Sequence, residues 1–234
     1  MAWSEITALR LAYLGWNYHG VVKQKDLLTV ESVLTEALAD QGIRAKLRFT
    51  SRTDKGVSAI DNIAFYRGPP PNVAILNERL PMDVTVWATA RTEEPPRPTM
   101  RVYLYTVPFK LRDATESLSR AMEELNQSEA YTIKNFDVIT GDNFTYIRIY
   151  GKSFKRNEIR KLIGLTIELS TGRRIGLAPP EGLILVRTVT DLKWREASKR
   201  KLFLMRKMIE RNFWRLESSR LLYELLSITS SWLL

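Results

Sequence analysis

Apolar and polar positions alternate over residues 6–13, with Leu9, Leu11 and Tyr13 on one face, and predict a strand. A glycine-bounded aromatic turn follows, Gly15-Trp16-Asn17-Tyr18-His19-Gly20. From Thr29, a residue type suited to an N-cap, Val30, Val33, Leu34, Ala37 and Leu38 recur at helical spacing until Gly42 closes the helix. Residues 44–49 and 59–66 predict two more strands, with a polar turn at 50–58 between them. Pro69-Pro70-Pro71 is a break. Residues 73–79 predict a short helix that Leu80-Pro81 ends, and 84–90 a further strand. This order predicts an α+β domain with a partly antiparallel sheet.

Residues 93–99 hold Pro95, Pro96 and Pro98, so they form neither regular helix nor central strand and mark the join between two halves. The second half opens on an alternating run, 101–107, with Arg101, Tyr103 and Tyr105 on one face and Val102, Leu104 and Thr106 on the other. Such a face is either a platform for flat ligands or a partly buried aromatic layer. Asp113 caps a helix carrying Leu118, Ala121, Met122 and Leu125. Residues 131–139 and 144–150 predict a hairpin across Thr140-Gly141-Asp142-Asn143. A helix over 154–169 buries Ile159, Leu162, Ile163 and Ile167 and carries Lys155, Arg156, Arg160 and Lys161 as cations. The last strand is 183–189. Beyond Asp191 the tail reads as helical throughout, basic at first and apolar from Leu221, and the apolar end needs a surface to pack on, its own body or a second subunit. The expected organisation is an α+β half over 1–98, a second α+β half over 99–190, and a helical tail over 191–234, with mixed, largely antiparallel sheets meeting at a basic cleft.

Charge narrows the partners. The chain has 36 Lys and Arg against 26 Asp and Glu, a net charge of +10, and a balance this basic points to a polyanion, nucleic acid before an anionic membrane. The absence of cysteine excludes disulfides, thiolate zinc sites and cysteine nucleophiles. With His19 as the single histidine, a His-based metal site or a Ser-His-Asp triad is disfavoured. His19 itself reads as a ligand or base, or as a hydrogen-bonded loop residue. No charged leader with an apolar run opens the chain, and no apolar stretch reaches membrane-helix length, so a cytoplasmic protein is expected.

The chemistry concentrates in the turn at 50–59, where Arg52-Thr53-Asp54-Lys55-Gly56 sets one carboxylate between two cations. A carboxylate beside a cation stays ionised and keeps one direction. The alternatives are a surface loop of charge pairs, or a metal-dependent nuclease built on Asp54 and Asp61. The latter lacks the clustered carboxylates that two metal ions need.

Six segments, in order, resemble the TruA family of tRNA pseudouridine synthases. Tyr13-Leu14-Gly15-Trp16-Asn17-Tyr18-His19-Gly20 is similar to its Tyr-x-Gly-x-x-Tyr-x-Gly, with Gln24 echoing a glutamine. Residues 52–59 are similar to the active-site signature of its archaeal and eukaryotic branch, which Lys55 and Ser58 mark. Leu80-Pro81-Met82-Asp83-Val84, Arg101-Val102-Tyr103-Leu104-Tyr105, Ser153-Phe154 with Ile159-Arg160 and Gly164, and Ala178-Pro179-Pro180-Glu181-Gly182-Leu183-Ile184-Leu185 resemble four further family segments. The resemblance implies that Asp54 is the catalytic aspartate, that Arg160 pairs with it, and that Tyr103 stacks on the target base and serves late proton transfer. Arg52 then fills the gap left by the flipped nucleotide, and Lys55, Arg101, Tyr105, Lys155 and Arg156 bind substrate. It implies tRNA as partner, a uridine of the anticodon stem-loop as target, no cofactor or metal, and a homodimer. The carboxylate acts as nucleophile or, by a glycal route, as a base on the sugar. Val21, Lys155 and Glu158 depart from the family's usual residues, and the segments before Arg101 and between Tyr105 and Phe154 are short. The competing reading is a non-catalytic RNA-binding module, carried by the basic tail and the tyrosine strand.

Overall fold

The structure, a computed structural model, describes residues 5–128, 132–197 and 200–210. Nine strands form one mostly antiparallel sheet: β1 (Ile6–Tyr13), β2 (Arg48–Phe49), β3 (Ser58–Arg67), β4 (Val84–Thr92), β5 (Met100–Val107), β6 (Ile133–Thr140), β7 (Thr145–Gly151), β8 (Leu183–Val189) and β9 (Arg195–Glu196). Their order is β6-β7-β5-β8-β3-β1-β4-β9, with β2 paired to β3. The fold is α+β, and the strands of both halves lie in this one sheet. The halves join where β3 and β8 run parallel through two pairs, Ser58 with Ile184 and Ala59 with Leu185. Parallel pairing puts the loops that precede the two strands at the same end of the sheet.

Four helices, α1 (Val30–Ala39), α2 (Val73–Arg79), α3 (Ala114–Ser128) and α4 (Glu158–Thr171), contribute to one core with strand residues such as Leu9, Leu11, Tyr103 and Ile147. The helix starts are chemically set. In α1, Thr29 Oγ1 accepts from Ser32 N at 3.1 Å while Ser32 Oγ accepts from Thr29 N at 3.0 Å, a reciprocal cap. In α2, Asn72 Oδ1 accepts from Ala74 N and Ile75 N. The helix expected from residue 154 begins only at Glu158, whose buried carboxylate accepts from Lys155 N at 2.6 Å and from Thr132 Oγ1 at 2.7 Å. An acid in the first turn is favoured by the helix dipole, and this one also fixes the backbone just ahead of the helix.

Alternation sends Ala8, Ile63 and Ala90 to the opposite face, where Phe65, Leu192 and Trp194 cover them. There the Arg10 guanidinium lies 5.1 Å from the Trp87 ring centroid and 4.5 Å from that of Trp194. Its Nε is 3.3 Å from Asp61 Oδ1, and Asp61 Oδ2 accepts from Thr188 N at 3.0 Å. Burial pushes the Asp61 carboxyl up, opposed by the Thr188 hydrogen bond and the Arg10 charge.

Two expectations are corrected. The strand over 44–49 shrinks to Arg48–Phe49, because only those two residues find partners, Phe65 and Ala64. The tail is not helical from Asp191. Residues 195–196 add β9 to β4, with Ala197 N donating to Trp87 O at 2.8 Å, so the open edge of the sheet overrides local helical preference. Residues 200–210 are helical and belong to a separate unit. The apolar end from Leu221 lies outside the described residues. No helix among the described residues is long and apolar enough to cross a membrane.

α4 presses so closely on the segment before β8 that a Cβ on Gly164 would lie 1.8 Å from Gly176 O. Gly164→Ala is expected to cost about 1–3 kcal/mol through forced displacement, read as a lower denaturation midpoint with an unchanged slope.

Candidate active site

The turn at 50–57 is short and polar, yet its backbone is held from below at many points. Tyr13 on β1 shares a 2.8 Å hydrogen bond with Thr53 Oγ1. Asn62 on β3 donates to the Tyr13 hydroxyl at 3.0 Å and to Ser51 O at 2.9 Å. Val21 N donates to Thr53 O at 3.1 Å, and Gly56 N to Tyr18 O at 3.4 Å. The aromatic turn 15–20 is itself anchored by buried Asp83, which accepts from Tyr18 Oη at 2.6 Å and from Asn17 Nδ2 at 3.1 Å. Gly20, with φ of 90°, permits the contact: a Cβ there would lie 2.9 Å from Thr53 O. These bonds join the two glycine-bearing segments to each other and to the Asp83 segment. They form one layer.

Above that layer opens a cavity of about 1100 Å³, slightly above the roughly 300–1,000 Å³ usual for a small-molecule site. Asp54, Arg52 and Lys55 line it from the turn, Arg101 and Tyr103 from β5, and Lys155, Arg156 and Arg160 from α4 and its approach. Arg160 Nη1 lies 3.7 Å from Asp54 Oδ2. The arginine side chain is 13% exposed and the aspartate 39%, so the cation is covered and the carboxylate opens to the cavity. Arg160 Nε donates to Ala178 O at 2.6 Å, and Ala178 N to Arg160 O at 3.1 Å. The guanidinium is therefore fixed on one edge and offers another edge to Asp54.

Tyr103 is buried, with its ring edge-on to Phe154 at 5.2 Å and 87°. Burial pushes its phenol up, with the Ser51 hydroxyl and Arg101 opposing and Asp54 adding to the rise. The group is thus held neutral. Arg101 spends its donors on protein: Nε on Ser51 Oγ at 2.8 Å, and its terminal nitrogens on Thr50 O and Lys152 O. It ties the Asp54 turn to the segment leading into α4.

Tyr105 stands apart from this group. It is buried, it is not among the residues lining the cavity, and its hydroxyl donates to Pro179 O at 2.9 Å. Asp61 is likewise committed to Arg10 and Thr188 and does not line the cavity with Asp54. No group of three or more His, Cys, Asp or Glu side chains able to hold a metal ion occurs among the described residues. The cavity also takes in His19, Ser51, Phe154, Glu158 and Leu183. Ser51 carried no sequence signal of its own, Leu183 entered only as part of the resembling segment 178–185, and Glu158 looked like a mere departure from family pattern.

No family model matches the chain. Relatives do. The chain is 31% identical to tRNA pseudouridine synthase A of Methanothermobacter thermautotrophicus, covering 80% of this chain and 80% of that protein. It is 30% identical to tRNA pseudouridine synthase A of Archaeoglobus fulgidus, covering 76% and 81%. With the protein of the same description from Methanosarcina acetivorans it shares 28% identity, over 94% of this chain and 96% of that one.

The buried phenols give an alkaline signature. Burial pushes Tyr105 up to about 12 and raises Tyr13, Tyr18, Tyr66 and Tyr103 as well. A phenol raised in the folded state contributes its full stability below the unfolded value of about 10 and loses it as the pH rises beyond that. Stability measured by urea unfolding should be flat to about pH 10 and then fall steeply. Tyr105→Phe should make that fall shallower, and an unchanged alkaline limb would contradict it.

Proposed function

The chain belongs to the TruA family of tRNA pseudouridine synthases, and we propose that it isomerises uridine to pseudouridine in tRNA with Asp54 as the catalytic carboxylate. The observation that carries the assignment is the Asp54–Arg160 pair, with the arginine covered and the carboxylate open to the cavity. The reaction breaks the bond from C1′ to N1, rotates the detached uracil, and joins C1′ to C5. The C5 proton leaves and N1 gains one, so nothing is oxidised or reduced. A single ionised carboxylate next to the sugar serves the nucleophilic and the glycal route alike.

The target base must first leave its stack, at a cost of a few kcal/mol. Arg52 is exposed at the cavity rim, which suits a planar cation taking the vacated place. Tyr103 as a neutral phenol suits stacking on the base and passing a proton along, rather than acting as a phenolate base. Lys55, Lys155 and Arg156 are exposed cations on the same rim, suited to phosphate. Arg101 and Tyr105 are better read as supports, the first for the Asp54 turn and the second for the segment before β8. The target uridine is placed in the anticodon stem-loop, the working form is a homodimer, and the setting is the cytoplasm. The isomerase reading is preferred to a pure RNA-binding module because a binder has no use for a carboxylate opening among phosphate-seeking cations.

Mapping pseudouridine in tRNA incubated with the purified chain tests the reading. Asp54→Asn should abolish product while leaving tRNA affinity within a few-fold, and wild-type turnover by that variant would remove Asp54 from the chemistry. Light scattering tests the dimer; a monomer at working concentration contradicts it.

A further inference from the structure

His19 is the one histidine of the chain, and no role assigned above uses it. It lines the same cavity as Asp54. Its backbone is fixed, with N donating to Leu28 O at 2.8 Å and O accepting from Gln24 Nε2 at 2.5 Å. The residues on either side are laced to the Asp54 turn, Val21 through Thr53 and Tyr18 through Gly56. The imidazole is therefore held beside the catalytic turn by a backbone that cannot drift.

Its two nitrogens differ. Nδ1 is enclosed by protein and has no hydrogen-bond partner, while the residue as a whole is only half-buried, which leaves the Nε2 side of the ring to the cavity. A neutral imidazole carries one N–H and one lone pair. An orphaned buried N–H is rarer and costlier than an under-used acceptor, so the proton belongs on Nε2. In its neutral form the ring then offers the cavity a single uncharged donor. The uncharged side-chain donors on these two segments are already engaged, Gln24 with His19 O, Thr50 with Asn62, Ser51 with Arg101 and Thr53 with Tyr13, and the others, Lys23, Arg52 and Lys55, are full cations suited to phosphate. An uncharged donor suits an uncharged acceptor, and a uracil presents two, its carbonyl oxygens.

We propose that His19 is a substrate-binding residue that donates Nε2–H to a carbonyl oxygen of the flipped uracil. This rests on the pseudouridine reading above. The contact exists only once the base has left its stack, so it acts on turnover and not on overall tRNA affinity.

The test uses the full chain and an unmodified tRNA transcript, with kcat from pseudouridine formed at saturating tRNA and Kd from filter binding. His19→Ala is expected to lower kcat about 10- to 100-fold, the effect of one lost hydrogen bond in an enclosed site, with Kd within threefold. His19→Gln, whose amide nitrogen reaches the place of Nε2, should recover most of the loss. His19→Asn, whose amide falls at the place of Nδ1, should not. The Gln and Asn variants decide the matter even where the alanine variant fails to fold. Wild-type kcat in His19→Ala overturns the inference, as does equal behaviour of Gln and Asn, or a Kd that weakens in step with unchanged kcat, which marks a phosphate contact. A wild-type chain that forms no pseudouridine removes the parent reading and this inference with it, a result distinct from the others.

Discussion

Two residue pairs hold the site together. Ser58 with Ile184 and Ala59 with Leu185 are the parallel contact that makes one sheet of the two halves. Parallel strands start at the same end, so the Asp54 turn before β3 and the Ala178 segment before β8 emerge side by side. α4 is then stitched to the second of these by a reciprocal bond between Arg160 and Ala178. Arg160 meets Asp54 through this geometry alone, although the two are far apart in sequence. An antiparallel pairing at the same place would send one loop to the opposite end of the sheet.

A short polar turn over a sheet is ordinarily mobile, because its backbone groups bond to water. Here the carbonyls of Ser51 and Thr53 are answered from beneath by Asn62 and Val21, Tyr13 takes the Thr53 hydroxyl, and Asp83 answers the aromatic turn in its place. Buried polar groups are costly unless satisfied, so this layer stabilises one arrangement and penalises near neighbours of it. That selectivity is what a carboxylate needs when it must face a sugar carbon within a fraction of an ångström. Arg101 adds a clamp from above, through Ser51 and Lys152.

Most of the elements were legible because their signals are local: the N-cap residue Thr29, the apolar run that opens 183–189, the prolines that keep 95–98 out of helix and strand. The failures came where distant chain decides. Residues 195–196 lie ahead of the helical run 200–210, but the unpaired edge of β4 captures them as strand, and Trp194 closes over Arg10. Residues 44–47 carry strand-like composition and find no partner to pair with. At the site, Asp54, Tyr103 and Arg160 were readable only as members of a family pattern, since no spacing rule links a turn, a strand and a helix. The alternating face of Arg101, Tyr103 and Tyr105 was read in the right period, yet the three side chains have different fates. Arg101 is spent on loop carbonyls, Tyr103 reaches the cavity, and Tyr105 is drawn to Pro179.

The net charge of +10 therefore overstates what meets a polyanion. Of the cations lining the cavity, Arg160 and Arg101 are engaged by protein oxygens, and burial makes that engagement hard to exchange. Arg52, Lys55, Lys155 and Arg156 are exposed, with no ion pair among the described residues. Salt screens exposed charges over about 10 Å at 0.1 M and touches buried ones far less. The two sets thus answer to different physics. Under the proposed function, the rim cations set how tightly and how salt-sensitively tRNA phosphate is held, while the covered arginines keep the carboxylate aimed. Binding and chemistry are then separable because the charges assigned to them sit at different depths.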